Sequence, residues 1–215
     1  MAAGILIAGT IASSLLFIRA EYRGPDWQIY LFKPLTTFLI ILFGLLVDSA
    51  SSQYRAWILL GLVFSLAGDV FLMLPADRFL PGLVCFLLAH LGYIRAFSRG
   101  LEDWNGIPIL PLLVYGVLIY RYLASELGRM RVPVLVYMLV ILVMSGAAWE
   151  RWLNQGGTGP LLAAVGSVLF LISDSLLAVG RFRKVPDYSR ALSLGSYFTA
   201  QLLIAMSVGG FGLKM

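Results

Sequence analysis

The sequence predicts an all-α polytopic membrane protein, an eight-transmembrane-helix bundle read as two parallel four-helix repeats. Three observations predict it. Of 215 residues, 60% are hydrophobic and only 13% charged, whereas soluble domains carry about 25% charged residues. Apolar runs close to the ~20 residues that cross a bilayer recur along the whole chain. Strand-like alternation is absent, which excludes a membrane barrel. Residues 1–215 are expected to form a single integral membrane domain.

The expected helices cover 3–18, 34–50, 56–74, 79–97, 107–123, 132–149, 160–180 and 192–212. The first run has no basic leading segment and further runs follow it, so it reads as a span and not as a signal peptide. The second follows Lys33, carries Thr36 and Thr37, and ends at Asp48. The third holds Ser65 and Asp69, one turn apart on one face. The fourth holds Cys85, His90 and Tyr93. Cys85 is the only cysteine, so no intramolecular disulfide or cysteine metal cluster forms. The fifth is apolar, and the sixth ends at Glu150, which reads with Asp48 as a solvated cap. The seventh holds Ser173, Asp174 and Ser175, and the eighth holds Tyr197 and Gln201 at i, i+4 spacing.

The net charge of +5 sits in loops, where it reports orientation and lipid headgroup contact and not nucleic acid. Eleven Lys or Arg residues follow the odd-numbered runs and five, Lys214 among them, lie on the opposite side. That split places the first set in the cytoplasm and both termini outside.

An internal echo accompanies the spans. "GLVFSLAGDVFLML" (Gly61–Leu74) aligns with "GSVLFLISDSLLAV" (Gly166–Val179), so that Asp69 falls on Asp174. "FLLAHL" aligns with "YFTAQL", so that His90 falls on Gln201. Four spans separate the copies, which makes the repeat parallel.

An ionised aspartate at the centre of a span costs about 2.5–3.5 kcal/mol on insertion scales, so acids kept there face a cavity or a partner. Asp69 and Asp174 each lie about five residues before the expected end of a run of the same direction, and so share a depth. Lys33, Ser65, Ser173, Tyr197 and Gln201 share that end, with His90 and Tyr93 deeper. Each also has a plainer reading: Lys33 as a side chain snorkelling to headgroups, His90 as an interhelical donor, Tyr93 and Tyr197 as packing or interface residues.

Two carboxyl groups at one depth in a low dielectric do not both ionise easily, so one acid and one base would stand side by side. That arrangement suits protonation of a substrate followed by attack of water. It needs no metal and no cofactor, and one histidine without a cysteine cluster is a poor zinc set. The serine-hydrolase elbow and the Walker glycine loop are both missing from the sequence.

"KPLTTFLI" (Lys33–Ile40), "GLVFSLAGDVFLML", "FLPGLVCFLLAHLGYI" (Phe79–Ile94), "ISDSLLAVGRF" (Ile172–Phe182) and "SYFTAQLLI" (Ser196–Ile204) resemble the YhhN-like family of membrane proteins, the lysoplasmalogenases. The resemblance implies an eight-span hydrolase. Such an enzyme cleaves the vinyl ether bond of lysoplasmalogens to a fatty aldehyde and glycerophosphoethanolamine or glycerophosphocholine. It also implies a catalytic pair, Asp69 in "AGD" and Asp174 in "ISDS", with the roles of acid and base open between them. Lys33, with Arg181 or Arg183, would hold the lipid phosphate; Ser65, His90, Tyr93, Ser173, Tyr197 and Gln201 would line the pocket. The expected partners are a lysophospholipid and membrane lipids, in a bacterial inner membrane with the site toward the cytoplasm. Two other classes fit paired acids. One is a proton-coupled transporter. The other is an intramembrane aspartyl protease, for which Gly68-Asp69 has the right context but "ISDS" does not.

Overall fold

A computed structural model describes residues 2–49, 51–101 and 104–209. Its eight α-helices run in chain order as α1 Ala2–Arg23, α2 Asp26–Leu46, α3 Ser52–Met73, α4 Phe79–Phe97, α5 Ile109–Leu123, α6 Arg131–Gln155, α7 Thr158–Phe182 and α8 Tyr188–Met206. A 3-10 turn, Gly128–Met130, leads into α6. No strand occurs among the described residues; a single isolated bridge joins Ser49 to Gly209.

Among the described residues, six helices are long and apolar enough to cross a membrane: α1 to α4, α6 and α7. The apolar α5 has only 15 residues. In α8, serines, Arg190, Thr199 and Gln201 dilute the apolar positions. Valines and leucines such as Val114, Leu118 and Leu139 point outward and are exposed, a surface that fits lipid and not water.

Several boundaries differ from the sequence expectation. The break between the first two helices falls at Gly24-Pro25, so α2 begins at Asp26 and passes through Pro34. Lys33 therefore stands inside a helix and not at its start. α6 continues to Gln155, which puts Glu150 within it. Glu150 is not a solvated cap: it is 0% exposed and accepts the Asn105 backbone N–H at 3.1 Å, pinning the loop before α5. The expected end of the eighth run, 210–212, and Lys214 lie outside the described residues.

The closest helix neighbours are α3 with α4 and α7 with α8. Small residues make both approaches possible, as is common between membrane helices. A Cβ on Gly61 would stand 2.3 Å from the Tyr93 ring, and one on Gly166 would stand 3.0 Å from the Ala200 carbonyl oxygen. The two pairs are joined crosswise, α4 packing on α6 and α2 on α8. The core between them is aromatic, with Phe170 edge-on to His90 at 4.7 Å and to Tyr197 at 5.5 Å.

Candidate functional site

The two intramembrane aspartates sit in separate polar nests. Asp69, on α3, is enclosed, its side chain only 2% exposed. Its Oδ2 accepts hydrogen bonds from the Thr37 hydroxyl of α2 and the Tyr197 hydroxyl of α8, both at 2.7 Å. Its Oδ1 faces the Lys33 ammonium at 3.5 Å. Behind Tyr197 the chain of bonds continues: Gln201 Nε2 donates to the Tyr197 hydroxyl at 3.1 Å, and the Tyr93 hydroxyl donates to Gln201 Oε1 at 2.8 Å. Every polar atom in this series is matched to another, as a buried network requires.

Asp174, on α7, is more open, its side chain 12% exposed. Its Oδ2 accepts a hydrogen bond from the Tyr137 hydroxyl of α6 and lies 3.4 Å from His90 Nε2 of α4. His90 Nε2 is also 2.8 Å from the Tyr137 oxygen, while its Nδ1 is buried without a partner. The neutral tautomer with hydrogen on Nε2 fits this, since it leaves an unpaired acceptor at Nδ1 and not a buried unpaired N–H.

No hydrogen bond joins the two carboxyl groups; the nests meet at Phe86 and Phe170. Nor is their position along the helices equal. Asp69 is four residues before the end of α3, and Asp174 is eight before the end of α7, which runs past the expected boundary.

Two cavities lie at this end of the bundle. A charged cleft of about 810 Å³ is lined by Lys33, Arg78, Arg181 and Arg190 and by Glu21, Asp77 and Asp187. Arg181 pairs with Asp77 at 2.5 Å and lies over the Phe79 ring; Arg190 pairs with Glu21 at 3.0 Å. A small apolar cavity of about 40 Å³ is lined by Asp174, Tyr137, Phe86, Leu83 and Val134 among others. Leu72, Phe79 and Leu177 line both, so they form the wall between them.

Of the residues singled out in the sequence, Lys33, Tyr93, Tyr197 and Gln201 join Asp69, and His90 joins Asp174. Ser65 is fully buried and its hydroxyl has no partner. Ser173 turns elsewhere: its hydroxyl donates to the Ser193 carbonyl while the Ser193 hydroxyl donates to the Ser173 carbonyl, a clamp between α7 and α8. Arg183 reaches Ser125 and the Tyr122 ring instead of the cleft. Sequence reasoning missed Tyr137 and gave Thr37 no role. A tyrosine in an apolar run reads as packing, and nothing local shows that it meets an acid 37 residues away. Arg190, counted only as a loop charge, lines the cleft.

Comparison with known proteins sets this geometry in context. The "Uncharacterized membrane protein YhhN" of Escherichia coli O157:H7 is 32% identical over 91% of this chain and 94% of that protein. "Lysoplasmalogenase TMEM86A" of Homo sapiens is 34% identical over 85% of this chain and 79% of that one. "Lysoplasmalogenase TMEM86B" of Homo sapiens is 34% identical over 85% and 78%. No solved structure matches the chain. Relatives named as membrane proteins and six apolar helices of spanning length identify a multi-pass membrane protein. The YhhN family matches residues 28–208, most of the chain, and the chain belongs to that family.

Proposed function

We propose that the protein is a membrane-embedded lysoplasmalogenase, an ether hydrolase that opens the vinyl ether of alkenyl-glycerophosphoethanolamine or -choline to a fatty aldehyde and the glycerophospho-alcohol. The observation that carries this is a carboxyl group, Asp174, on the wall of an apolar cavity beside a charged cleft. A lysolipid has the same two-part character. Its phosphate headgroup suits the cleft, with Lys33, Arg181 and Arg190 as cations, and its alkenyl chain suits the apolar side. The relatives named lysoplasmalogenase support the same substrate class.

The chemistry needs one proton delivered to carbon. Asp174 gives its proton to the vinyl carbon distal to the ether oxygen, the double bond supplies the electron pair for the new C–H bond, and an oxocarbenium ion forms. General acid catalysis of this kind contributes about 10²–10⁴-fold. Tyr137 and His90, both donors toward Oδ2, stabilise the carboxylate that proton transfer creates. Water then attacks the oxocarbenium carbon and passes a proton to that carboxylate. The resulting hemiacetal releases aldehyde and alcohol, so one water is consumed and Asp174 returns to its acid form. Asp69 takes no part in this proton transfer, and the reaction calls for no cofactor.

In this reading all eight helices span the membrane, α5 and α8 as short or polar spans inside a single domain, and α1–α4 repeat as α5–α8. The two nests support the repeat. Asp69 is bonded from α2 and α8, and Asp174 from α6 and α4; exchanging the halves turns one set into the other. The protein sits in the bacterial inner membrane with the cleft toward the cytoplasm and both ends of the chain outside.

The test is aldehyde release in detergent from a vinyl-ether lysolipid, with the saturated alkyl-ether analogue as control. Aldehyde from the first alone supports the reading. No aldehyde from wild type removes it and leaves transport or proteolysis, which need sealed vesicles or a helical peptide as substrate.

A further inference from the structure

We infer that Asp69 is a positioning residue that acts through Lys33, fixing its ammonium at the wall of the charged cleft as a binding point for a lysolipid phosphate. The inference rests on the reading of the cleft as the headgroup site, and it gives the two aspartates different work.

Asp69 lines neither the cleft nor the apolar cavity. Its polar partners include the Thr37 and Tyr197 hydroxyls at Oδ2 and the Lys33 ammonium at Oδ1. Lys33 does line the cleft, although its side chain is only 10% exposed. An amine so enclosed needs hydrogen-bond acceptors in place of the water it has lost, and Asp69 supplies one from behind the wall. The carboxyl group cannot turn freely. Thr37 holds it from the helix that carries Lys33, and Tyr197, itself held by Gln201, holds it from α8. Oδ1 is thereby aimed at Nζ. An ammonium has three donors, so one committed to Asp69 leaves others for a ligand.

The remaining cleft cations explain why Lys33 matters. Of these, Arg78 is exposed to solvent, and Arg181 and Arg190 line the cleft together with their partners Asp77 and Glu21. A phosphate approaching either arginine meets a carboxylate as well. A phosphate approaching Lys33 meets the cation while its carboxylate stays outside the lining.

Binding of three probes tests this without any chemistry: a saturated alkyl-ether lysophospholipid, the corresponding alkylglycerol without phosphate, and inorganic phosphate. A lost charge-assisted hydrogen bond corresponds to about a 10–100-fold change. Asp69→Asn and Lys33→Gln should each raise Kd for the phospholipid by that factor and leave Kd for the alkylglycerol unchanged, and Lys33→Arg should restore most of the affinity. Unchanged phospholipid affinity in Asp69→Asn overturns the inference, as does an equal loss for both lipids. Inorganic phosphate binding more tightly than the phospholipid overturns the headgroup assignment. If Asp69→Asn does not fold, Lys33→Gln decides: phospholipid affinity equal to wild type refutes the role. Phosphate-dependent binding without aldehyde release would keep this inference and remove the vinyl ether reading; aldehyde release with phosphate-independent binding would do the reverse.

Discussion

Asp69 and Asp174 each belong to one of two closely packed helix pairs and each accept a tyrosine hydroxyl, yet the rest of their surroundings differ. Asp69 is enclosed, faces a cation, and has both oxygens engaged by protein. Asp174 has one oxygen engaged, by a tyrosine with a histidine beside it, and borders an apolar cavity. Two helix pairs each supply an acid, but the helices facing them decide what each can do. Where α2 brings a lysine and a threonine, α6 brings a tyrosine. The result is a carboxyl group enclosed beside a lysine at one position and a carboxyl group bordering a cavity at the other.

The strongest way to sharpen the contrast is Asp174→Asn. It keeps the shape of the side chain and removes the transferable proton. Vinyl ether hydrolysis should fall by about 10²–10⁴-fold in kcat, read as aldehyde released under saturating lysolipid. Next in size is Tyr137→Phe. It removes the donor at Asp174 Oδ2 and should lower kcat by about 10-fold or more, with little change in KM, because the lost bond matters most once the carboxylate is negative. Asp69 and its partners should respond in binding and not in turnover.

Two smaller effects probe the frame. Gly166→Val would drive a side chain into the Ala200 carbonyl and the Leu203 side chain. It should lower the thermal midpoint by an amount matching the ~1–3 kcal/mol of overpacking. Smallest is Ser173→Ala, which removes one half of the Ser173–Ser193 clamp. About 1 kcal/mol of stability should be lost, visible as a modest fall in thermal midpoint while aldehyde release continues. If that variant instead lost turnover, Ser173 would belong to the pocket, as its place beside Asp174 in the sequence suggested.

Much of this was legible in the chain. Apolar runs located the eight helices, and among the described residues six of them are long and apolar enough to span a membrane. The acids stood out because charge inside such a run is costly. Their aligned positions suggested a pair, yet they stand in separate nests with different partners. What the sequence did not show was pairing across helices. Nothing near Asp174 points to Tyr137, and nothing near Lys33 points to Asp69, since both contacts form only when the bundle closes. Local signals also misled where the fold overrode them. The second helix was expected to begin at 34, just after Lys33, yet α2 begins at Asp26 and carries Pro34 in its interior. Glu150 read as a cap because the apolar run stops there, yet α6 continues and buries it. Arg183 seemed as well placed as Arg181 for a phosphate, but the end of α7 turns it toward Tyr122.

The most direct test of the division between the two aspartates is a side-by-side determination of kcat and KM for Asp174→Asn and Asp69→Asn on one vinyl-ether lysolipid in detergent. The account predicts a collapse of kcat in Asp174→Asn and, in Asp69→Asn, a rise in KM of about 10–100-fold that exceeds any fall in kcat. Equal loss of kcat in both variants would contradict it and return the two carboxyl groups to a single shared proton-transfer pair.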